Sequence, residues 1–281
     1  MSVKAEDFNY IADLVRKQTG IVLETGKEYL VESRLAPMAR REGFGSLQEL
    51  VARLRVGSGN GLGRRITEAL TTNETLFFRD IAVFDAFTKS MMPSLLAKRA
   101  QERKLNIWCA ACSSGQEPYS LAMLIREELP QVAGWTLRLL ASDLSTEMIR
   151  RAQAGRYTQL EINRGLPARY LVRYFSRDNL DWEISPSIRR AVEFFQHNLT
   201  EPWPPLPPMD VIFLRNVLIY FDVETKKQIL KKVARSLRAD GFLVLGGAET
   251  TLQISDLFER VGYNQAGYYR LRATTENANV N

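Results

Sequence analysis

Residues 105–120, LNIWCAACSSGQEPYS, decide the fold class of this chain. The first six form a short apolar run typical of a buried strand, and a loop and a helical stretch follow. Three further apolar runs come later in the chain, separated by helical stretches: WTLRLLASD (135–143), VIFLRN (211–216) and GFLVLGG (241–247). Alternating strands and helices predict an α/β domain with a mostly parallel, doubly wound, Rossmann-like sheet.

Other segments flank this core. The N-terminal part has apolar residues at helical spacing and no strand-like run, which predicts a small all-α domain. Between the second and third strands lies a longer stretch that we interpret as a small inserted β-subdomain. The predicted boundaries are a helical N-terminal domain at 1–80, a linker helix at 81–104 re-aimed near Pro93, the α/β domain at 105–273 with its insert at about 160–190, and a disordered tail at 274–281.

Composition is that of an ordinary globular protein, with 45% hydrophobic and 25% charged residues. No stretch approaches the roughly 18 apolar residues of a membrane span, so we expect a cytoplasmic protein without direct membrane insertion. The net charge of +6 raises the question of a nucleic-acid partner, but the excess is spread thinly. One concentration exists: residues 31–65 hold seven arginines and three glutamates. This segment is either a docking face for an acidic partner or a solvated helical surface.

Two cysteines, Cys109 and Cys112, have the C-x-x-C spacing of redox and zinc pairs. A zinc site needs four nitrogen or sulfur ligands, and the chain has no second C-x-x-C and only one histidine. Both cysteines lie on the first strand and its exit loop. We therefore expect buried, inert thiols and no metal site.

The loop after the first strand indicates the ligand. In a doubly wound sheet the ligand binds beyond the carboxyl ends of the strands. The loop lacks the dinucleotide fingerprint G-x-G-x-x-G, and Glu117 near the helix start would repel a pyrophosphate. A ligand without phosphates, such as S-adenosylmethionine, is the expected cofactor. The alternative interpretation of Glu117 is a first-turn acid that stabilises the helix dipole.

Asp143 ends the second strand, at the position where an acidic residue accepts hydrogen bonds from ribose hydroxyls in adenosine-binding folds. It could instead cap the following helix. Ser145 is an equally good cap for that helix, so both interpretations stay open.

Three segments resemble the signature segments of the chemotaxis receptor methyltransferases, the CheR family. They are TTNETLFFR (71–79), ACSSGQEPYS (111–120) and RNVLIYF (215–221). They occur in the family's order, and the resemblance covers nearly the whole chain. It implies transfer of a methyl group from S-adenosylmethionine to glutamate side chains on the cytoplasmic helices of methyl-accepting chemotaxis receptors, with S-adenosylhomocysteine as the other product.

The resemblance also implies roles for single residues. Arg79 and Tyr220 would act at the reacting centre as catalytic residues. The implied cofactor-binding residues are Asn73, Thr75, Arg79, Glu117, Asp143, Asn198, Leu199, Arg215 and Asn216. Two positions depart from the family pattern: Gln116 stands where an acid is common, and GGAET (246–250) stands where we expect a histidine-containing G-H-S-E. Neither departure removes an implied cofactor contact.

Two other functions compete with this one. A nucleic-acid methyltransferase fits the basic pI, but the N/D-P-P-Y/F segment of enzymes that methylate exocyclic amines is missing. A non-catalytic module that binds the cofactor or a receptor would not need Arg79, Glu117, Asp143 and Tyr220 together.

Substrate recognition is expected to rest on the basic N-terminal face. Arg34 and Arg41 are seven residues apart, which places them on one helix face if Pro37 does not break the helix. The insert looks shorter than in family members that bind a receptor's C-terminal pentapeptide, so we expect no such tether. We also expect a monomer.

Overall fold

The computed structural model describes residues 3–57 and 61–273, and the tail predicted to be disordered, 274–281, lies outside the described residues. Contacts divide the chain into two compact units. The first is Met1–Thr72 with Tyr220–Thr225, and the second is Asn73–Ile219 with Lys226–Asn281. The boundary expected at residue 80 therefore lies after residue 72. Residues 73–80 belong to the second unit because Phe77 and Phe78 are buried in its core.

The first unit is helical, as predicted. Its helices are α1 (Ala5–Thr19), α2 (Glu28–Arg41), α3 (Leu47–Arg55) and α4 (Leu62–Leu70). Their apolar faces form one core that includes Ile11, Leu35 and Ile66. Local signals set the helix ends: Gly20, with φ of 75°, ends α1, and the Ser46 side chain accepts a hydrogen bond from Glu49 N at the start of α3. The segment Tyr220–Thr225 joins this unit through a β-bridge between Ile21 and Phe221.

The linker helix is present but shorter than predicted. It consists of α5 (Ile81–Ala86), a π-helical turn (Phe87–Met91) and α6 (Met92–Lys98). Pro93 lies just after the π turn, where its missing N–H and its ring disturb the regular hydrogen-bond ladder. The helix ends at Lys98 rather than at 104 because the first strand already begins at Lys104.

The second unit contains a seven-stranded sheet of order β6-β2-β1-β7-β8-β10-β9. Its strands are β1 (Lys104–Ala110), β2 (Thr136–Asp143), β6 (Val192–Gln196), β7 (Met209–Leu214), β8 (Leu237–Leu245), β9 (Phe258–Tyr263) and β10 (Ala266–Leu271). The five from β6 to β8 are parallel, and β10 runs antiparallel to both of its neighbours. The larger helices of this unit are α7 (Gln116–Glu128), α8 (Thr146–Ala154) and α12 (Val223–Ser236), of which residues 223–225 belong to the first unit. The doubly wound α/β fold is confirmed.

Strand order locates the ligand edge. From β1 the chain moves outward through β2 to β6, and from β7 it moves outward in the opposite direction. The order therefore reverses between β1 and β7, and doubly wound sheets bind their ligands beyond the carboxyl ends of the strands at such a reversal.

The insert, which we call the inserted subdomain, spans residues 156–189. Its elements are β3 (Arg156–Thr158), α9 (Gln159–Asn163), α10 (Ala168–Tyr174), β4 (Phe175–Asp178), β5 (Asp181–Ile184) and α11 (Pro186–Arg189). The three strands form an antiparallel sheet of order β3-β5-β4. The subdomain begins slightly before the predicted residue 160 because Arg156–Thr158 pairs with Asp181–Glu183. Within residues 3–57 and 61–273, no helix is both long and apolar enough to cross a membrane.

Candidate functional site

The loop after β1 is held in place by close backbone packing. Gly115 has φ of 92° and immediately precedes α7. A Cβ at this position would lie 3.0 Å from the Cβ of Ala152 in α8. Glycine is therefore required here both by the left-handed backbone and by the close approach of α8. The packing of α8 alone accounts for this requirement, whether or not a ligand also approaches Gly115.

Asp143 joins this loop to the one after β2. Its carboxylate is buried and accepts hydrogen bonds from Ser113 N at 2.8 Å and from Ser145 N at 2.9 Å. The cap of α8 is the Ser145 side chain, which accepts from Met148 N. Asp143 is therefore not the helix cap. Each carboxylate oxygen can accept more than one hydrogen bond, so capacity for ribose hydroxyls remains.

Asn198 and Leu199 follow β6 at the same edge of the sheet. His197 N donates to the Asp143 carbonyl at 2.9 Å, which extends the pairing of β6 with β2 up to these residues. Asn198 Oδ1 accepts from Thr200 N at 3.1 Å. Lys232 Nζ donates to the Leu199 carbonyl at 3.0 Å, so a lysine of α12 anchors this loop.

The segment 73–80 packs against the loop after β1. The Asn73 carbonyl accepts from Ser113 Oγ at 2.8 Å, and Phe78 N donates to Ser120 Oγ at 3.0 Å. Both neighbours of Arg79 have left-handed backbone, with φ of 51° at Phe78 and 61° at Asp80.

Two implied site residues of this segment remain partly accessible to solvent. The Arg79 guanidinium donates to the Glu74 carbonyl at 3.2 Å and is only half-buried. Thr75 is half-buried as well. Both side chains can therefore still meet a ligand at this edge of the sheet.

Arg215, directly after β7, is the centre of a charged cluster. Its side chain is only 2% exposed. It donates to Glu117 at 2.6 Å, to Asp80 at 2.6 Å and to the Arg79 carbonyl at 2.9 Å. Among the described residues, its buried Nε has no hydrogen-bond partner. Glu117 is thus a first-turn acid of α7, as the alternative interpretation has it, and also the counter-ion of Arg215. Its contact with the cofactor stays a prediction.

Glu249 was missed by sequence reasoning. Its carboxylate accepts four backbone N–H groups at 2.7–2.9 Å, from Asn216, Val217, Leu218 and Gly246. It therefore ties the turn after β7 to the turn after β8 and holds Asn216 at a left-handed φ of 57°. Its sequence signal was the single acid in GGAET, the segment noted only as a departure from the family pattern.

Both cysteines are free and buried. Burial raises the pKa of the Cys109 and Cys112 thiols well above their ordinary value, so both remain protonated at neutral pH. Such thiols are poor nucleophiles and poor metal ligands. In the part of the chain that the structure describes, no group of three or more potential ligands could hold a metal ion.

Three predicted residues belong to the first unit. Arg34 donates to the carbonyls of Leu70 and Thr71, both at 2.7 Å, so its charge caps the end of α4. Arg41 is exposed at the end of α2, which continues through Pro37. The Tyr220 carbonyl accepts from Val22 N, and Tyr220 is half-buried and belongs to the first unit.

Comparison with known proteins identifies the family. A model described as "CheR methyltransferase, all-alpha domain" matches residues 6–71, and one described as "CheR methyltransferase, SAM binding domain" matches residues 73–266. The chain belongs to the CheR family. It is a chemotaxis protein methyltransferase that uses S-adenosylmethionine as its cofactor. The boundary between the two matches coincides with that between the two compact units.

Curated relatives of this CheR chain match over nearly their full length. "Chemotaxis protein methyltransferase 1" of Pseudomonas aeruginosa is 40% identical over 97% of this chain and 100% of its own. "Chemotaxis protein methyltransferase Cher2" of Pseudomonas putida is 38% identical, with 93% and 96% covered. "Chemotaxis protein methyltransferase" of Vibrio anguillarum is 35% identical, with 97% and 99% covered.

Solved structures resemble the chain less closely. A structure titled "DhpI-SAH complex structure" has a TM-score of 0.32 and 16% identity, with 68% of this chain and 72% of that chain covered. A TehB-like SAM-dependent methyltransferase from Corynebacterium glutamicum has a TM-score of 0.38 and 12% identity, with 69% and 100% covered. TM-scores this low support no functional conclusion about this chain.

The residues at the β1–β7 edge fit S-adenosylmethionine. The buried Arg215 Nε is a donor with no partner among the described residues, and the methionyl carboxylate of the cofactor is an acceptor. Asp143 offers acceptor capacity for ribose hydroxyls. This edge of the sheet therefore offers a donor of the kind that the cofactor's carboxylate requires and an acceptor of the kind that its ribose hydroxyls require.

Proposed function

We propose that this chain transfers the methyl group of S-adenosylmethionine to glutamate side-chain carboxylates on the cytoplasmic helices of a methyl-accepting chemotaxis receptor. The products are glutamate methyl esters and S-adenosylhomocysteine. The main support is the pair of CheR matches, which cover residues 6–71 and 73–266. The signature segments add support because 111–120 and 215–221 begin directly after β1 and β7, at the carboxyl edge of the sheet, and Asn73 of 71–79 contacts the loop after β1.

The chemistry needs no general base. A glutamate carboxylate has an ordinary pKa of about 4.3 and is already anionic at neutral pH. S-adenosylmethionine supplies the methyl group: a carboxylate oxygen bonds to the methyl carbon as the carbon–sulfur bond breaks and its electrons stay on sulfur. The protein contributes desolvation, orientation and proximity.

Arg79 is the proposed residue that orients the substrate carboxylate. Among the described residues its guanidinium makes one hydrogen bond, to the Glu74 carbonyl, and Arg79 is half-buried. Arg215, by contrast, has two carboxylate partners, Glu117 and Asp80. A guanidinium with few existing hydrogen bonds can still bind and orient the substrate carboxylate. A single or shared hydrogen bond is preferable, because a strong bidentate ion pair would lower the reactivity of the carboxylate. The proposed orienting role of the Tyr220 hydroxyl stays a prediction.

The decisive experiment uses S-adenosylmethionine labelled in its methyl group. We expect receptor-containing membranes incubated with the full chain to gain label that mild base releases as methanol, as it would from a methyl ester. Label in nucleic acid, or base-stable label in protein, would contradict the proposal.

Asp143→Ala should weaken binding of S-adenosylhomocysteine by about 10- to 100-fold, since hydrogen bonds to charged groups contribute roughly 1.5–3 kcal/mol. The loss has two parts: the proposed ribose contact, and the two backbone N–H groups of Ser113 and Ser145 that lose their acceptor. Calorimetric titration measures the affinity.

Glu147→Ala is the matched control, because this acid is on α8 and exposed. It should bind like wild type. Equal affinities of Asp143→Ala and Glu147→Ala would remove Asp143 from the cofactor site. Glu117→Ala is a less specific test than Asp143→Ala, because it also removes a counter-ion of the buried Arg215.

The structure sharpens the docking proposal for the basic N-terminal face. Several arginines there are already paired: Arg55 with Asp7, Arg64 with Glu68 and Arg65 with Glu42. Arg40 and Arg41, in the last turn of α2, are exposed and have no ion-pair partner among the described residues. They are the cations best placed to meet an acidic receptor helix. Arg34 is less suitable because its donors hold the end of α4.

Reversal of both charges, Arg40→Glu with Arg41→Glu, should lower receptor methylation about tenfold at low salt. Exposed charges mainly change the rate at which enzyme and receptor associate. Affinity for S-adenosylhomocysteine should stay unchanged, and wild-type methylation should fall as salt rises. Steady-state methylation at graded receptor concentration measures the effect.

The matched control is Arg126→Glu with Arg235→Glu. These arginines also lie in the last turns of helices, α7 and α12. Replacing them with glutamate therefore lowers helix stability through the helix dipole by about as much as the Arg40 and Arg41 changes do. Equal losses in the two double variants would rule out a specific docking face. Tight binding of a free receptor pentapeptide, with full activity of the Arg40/Arg41 variant, would place docking on the inserted subdomain instead.

Three features remain proposals: a cytoplasmic location, a monomeric state and the absence of a pentapeptide tether. The last is supported by the hairpin between β4 and β5. Only Asn179 and Leu180 connect these strands, which leaves little loop to hold an added peptide.

A further inference from the structure

The inserted subdomain contacts the segment that carries Arg79. Phe78 stacks on Tyr170 of α10, with ring centroids 4.9 Å apart and planes only 12° from parallel. Phe77 meets Tyr157 edge-on at 4.9 Å and Phe175 at 5.6 Å. Both phenylalanines of the segment are therefore anchored in aromatic rings of the inserted subdomain, and each such contact favours one ring arrangement.

Backbone packing reinforces this anchoring. Gly165, between α9 and α10, has φ of 95°, and a Cβ built on it would overlap the Phe77 carbonyl oxygen. The Phe77 backbone cannot yield locally, because Phe78 N donates to the buried Ser120 Oγ. The Gly165 backbone thus fits against the segment only because glycine has no side chain.

The segment needs such support. Phe78 and Asp80, on either side of Arg79, both have left-handed φ values. A bulky residue in this region costs about 1–3 kcal/mol and persists only where surrounding contacts enforce it. The side-chain direction of Arg79 depends on these two backbone angles. Contacts that enforce them therefore set where the guanidinium lies.

We propose that the inserted subdomain positions Arg79 for methyl transfer, with Gly165 and Tyr170 as the positioning residues. This inference rests on the proposed function of Arg79. The subdomain is then an internal support of the reaction centre in this chain. Tyr157 extends the same support to the loop after β1, since its hydroxyl donates to the Ser114 carbonyl at 2.8 Å.

Two pairs of variants of the full chain test the proposal. Gly165→Ala is compared with Gly26→Ala, whose φ of 93° imposes the same backbone penalty in open space. Tyr170→Leu, which removes the ring, is compared with Tyr170→Phe, which keeps the ring and loses only the hydroxyl. Each variant is assayed well below its melting temperature for hydrogen exchange of the amides in 73–80, for S-adenosylhomocysteine affinity and for receptor methylation.

We expect Gly165→Ala and Tyr170→Leu to exchange faster at 73–80 and to lose about 10- to 100-fold in kcat, since small displacements at a reacting centre have effects of this size. Their cofactor affinity should fall less than their kcat. Gly26→Ala and Tyr170→Phe should keep both exchange and kcat. A purely structural role would lower the melting temperature and leave kcat of the folded enzyme unchanged.

Other outcomes would contradict the positioning role of the inserted subdomain or the proposed function. Wild-type exchange in Gly165→Ala and Tyr170→Leu, or fast exchange with wild-type kcat, would overturn the positioning role. If Gly165→Ala does not fold, the Tyr170 pair decides alone. A wild-type enzyme that transfers no methyl group to receptor overturns the proposed function, while exchange in the four variants still shows whether the subdomain holds the segment.

Discussion

Glu249→Ala should lower methyl transfer about 100-fold, the size of effect expected when reacting groups are displaced by about 1 Å. The carboxylate holds four backbone N–H groups in two turns. Without the carboxylate, Asn216 loses the hydrogen bond that stabilises its left-handed backbone conformation. The backbone of the adjacent Arg215 is then less firmly held, and the position of its side chain should shift. Cofactor affinity should fall as well, since both residues are implied cofactor contacts. Calorimetry and receptor methylation measure the two effects.

The intermediate variant is Glu249→Gln. One carboxylate oxygen accepts from Val217 and Leu218, and the other accepts from Asn216 and Gly246. An amide has a single acceptor oxygen, so it can serve one of these pairs and must face the other with N–H groups. We expect a loss about midway between wild type and the alanine variant. Glu259→Ala, at a half-buried acid paired with Arg270 on the β9–β10 hairpin, is the control. Wild-type kinetics in Glu249→Ala would show that the turns after β7 and β8 keep their conformation without the carboxylate.

Arg99→Met should lower the free energy of unfolding by about 3–5 kcal/mol, the usual cost of removing one partner of a buried ion pair. Arg99 donates to the fully buried Asp210 at 2.8 Å and makes two hydrogen bonds to Asp240. It thus joins the end of the linker helix to β7 and β8. Without the guanidinium, the Asp210 carboxylate keeps Asn106 N as its nearest donor. Urea unfolding measures the loss.

Lys98→Met is the matched control, since this neighbouring cation lies 3.5 Å from the same Asp240 and is about half exposed. It should cost less than about 1 kcal/mol, as exposed pairs do. Equal costs of the two variants would contradict a buried network.

The cost of Arg99→Met should also depend on pH. Burial already raises the pKa of Asp210, and loss of the cation should raise it further. A carboxyl whose pKa is raised on folding makes the folded state less stable as pH rises through that pKa. The cost of Arg99→Met should therefore be smaller in mildly acid buffer than at neutral pH. An unchanged cost across this range would show that the Asp210 charge does not cause it.

Much of the fold could be predicted because its signals are local. The apolar runs became β1, β2, β7 and β8, and Ser46 caps α3 as its spacing to Glu49 suggests. Boundaries were less accurate. The linker helix stops at Lys98, and the first unit ends at residue 72, because these limits depend on which core buries a segment rather than on the segment's own pattern.

For the candidate site, the sequence suggests a set of residues but not their arrangement. The signature segments named Glu117 and Arg215, yet not their ion pair across 98 residues of chain. The arginine-rich stretch 31–65 suggested Arg34 as a docking residue, while the fold uses its donors to cap α4. Side-chain partners of this kind depend on strand order and register, which a single segment does not encode.

By itself, the amino-acid sequence determined the strand and helix types, the family resemblance and the cofactor class, because periodicity, turn residues and signature segments act over a few neighbouring positions. The tertiary structure alone decided that Glu249 holds the turn after β7 and that Gly165 fits against Phe77. Both contacts join residues brought together only when the sheet and the inserted subdomain have packed. Their geometry follows from the packing of whole elements, and local sequence preferences do not contain it.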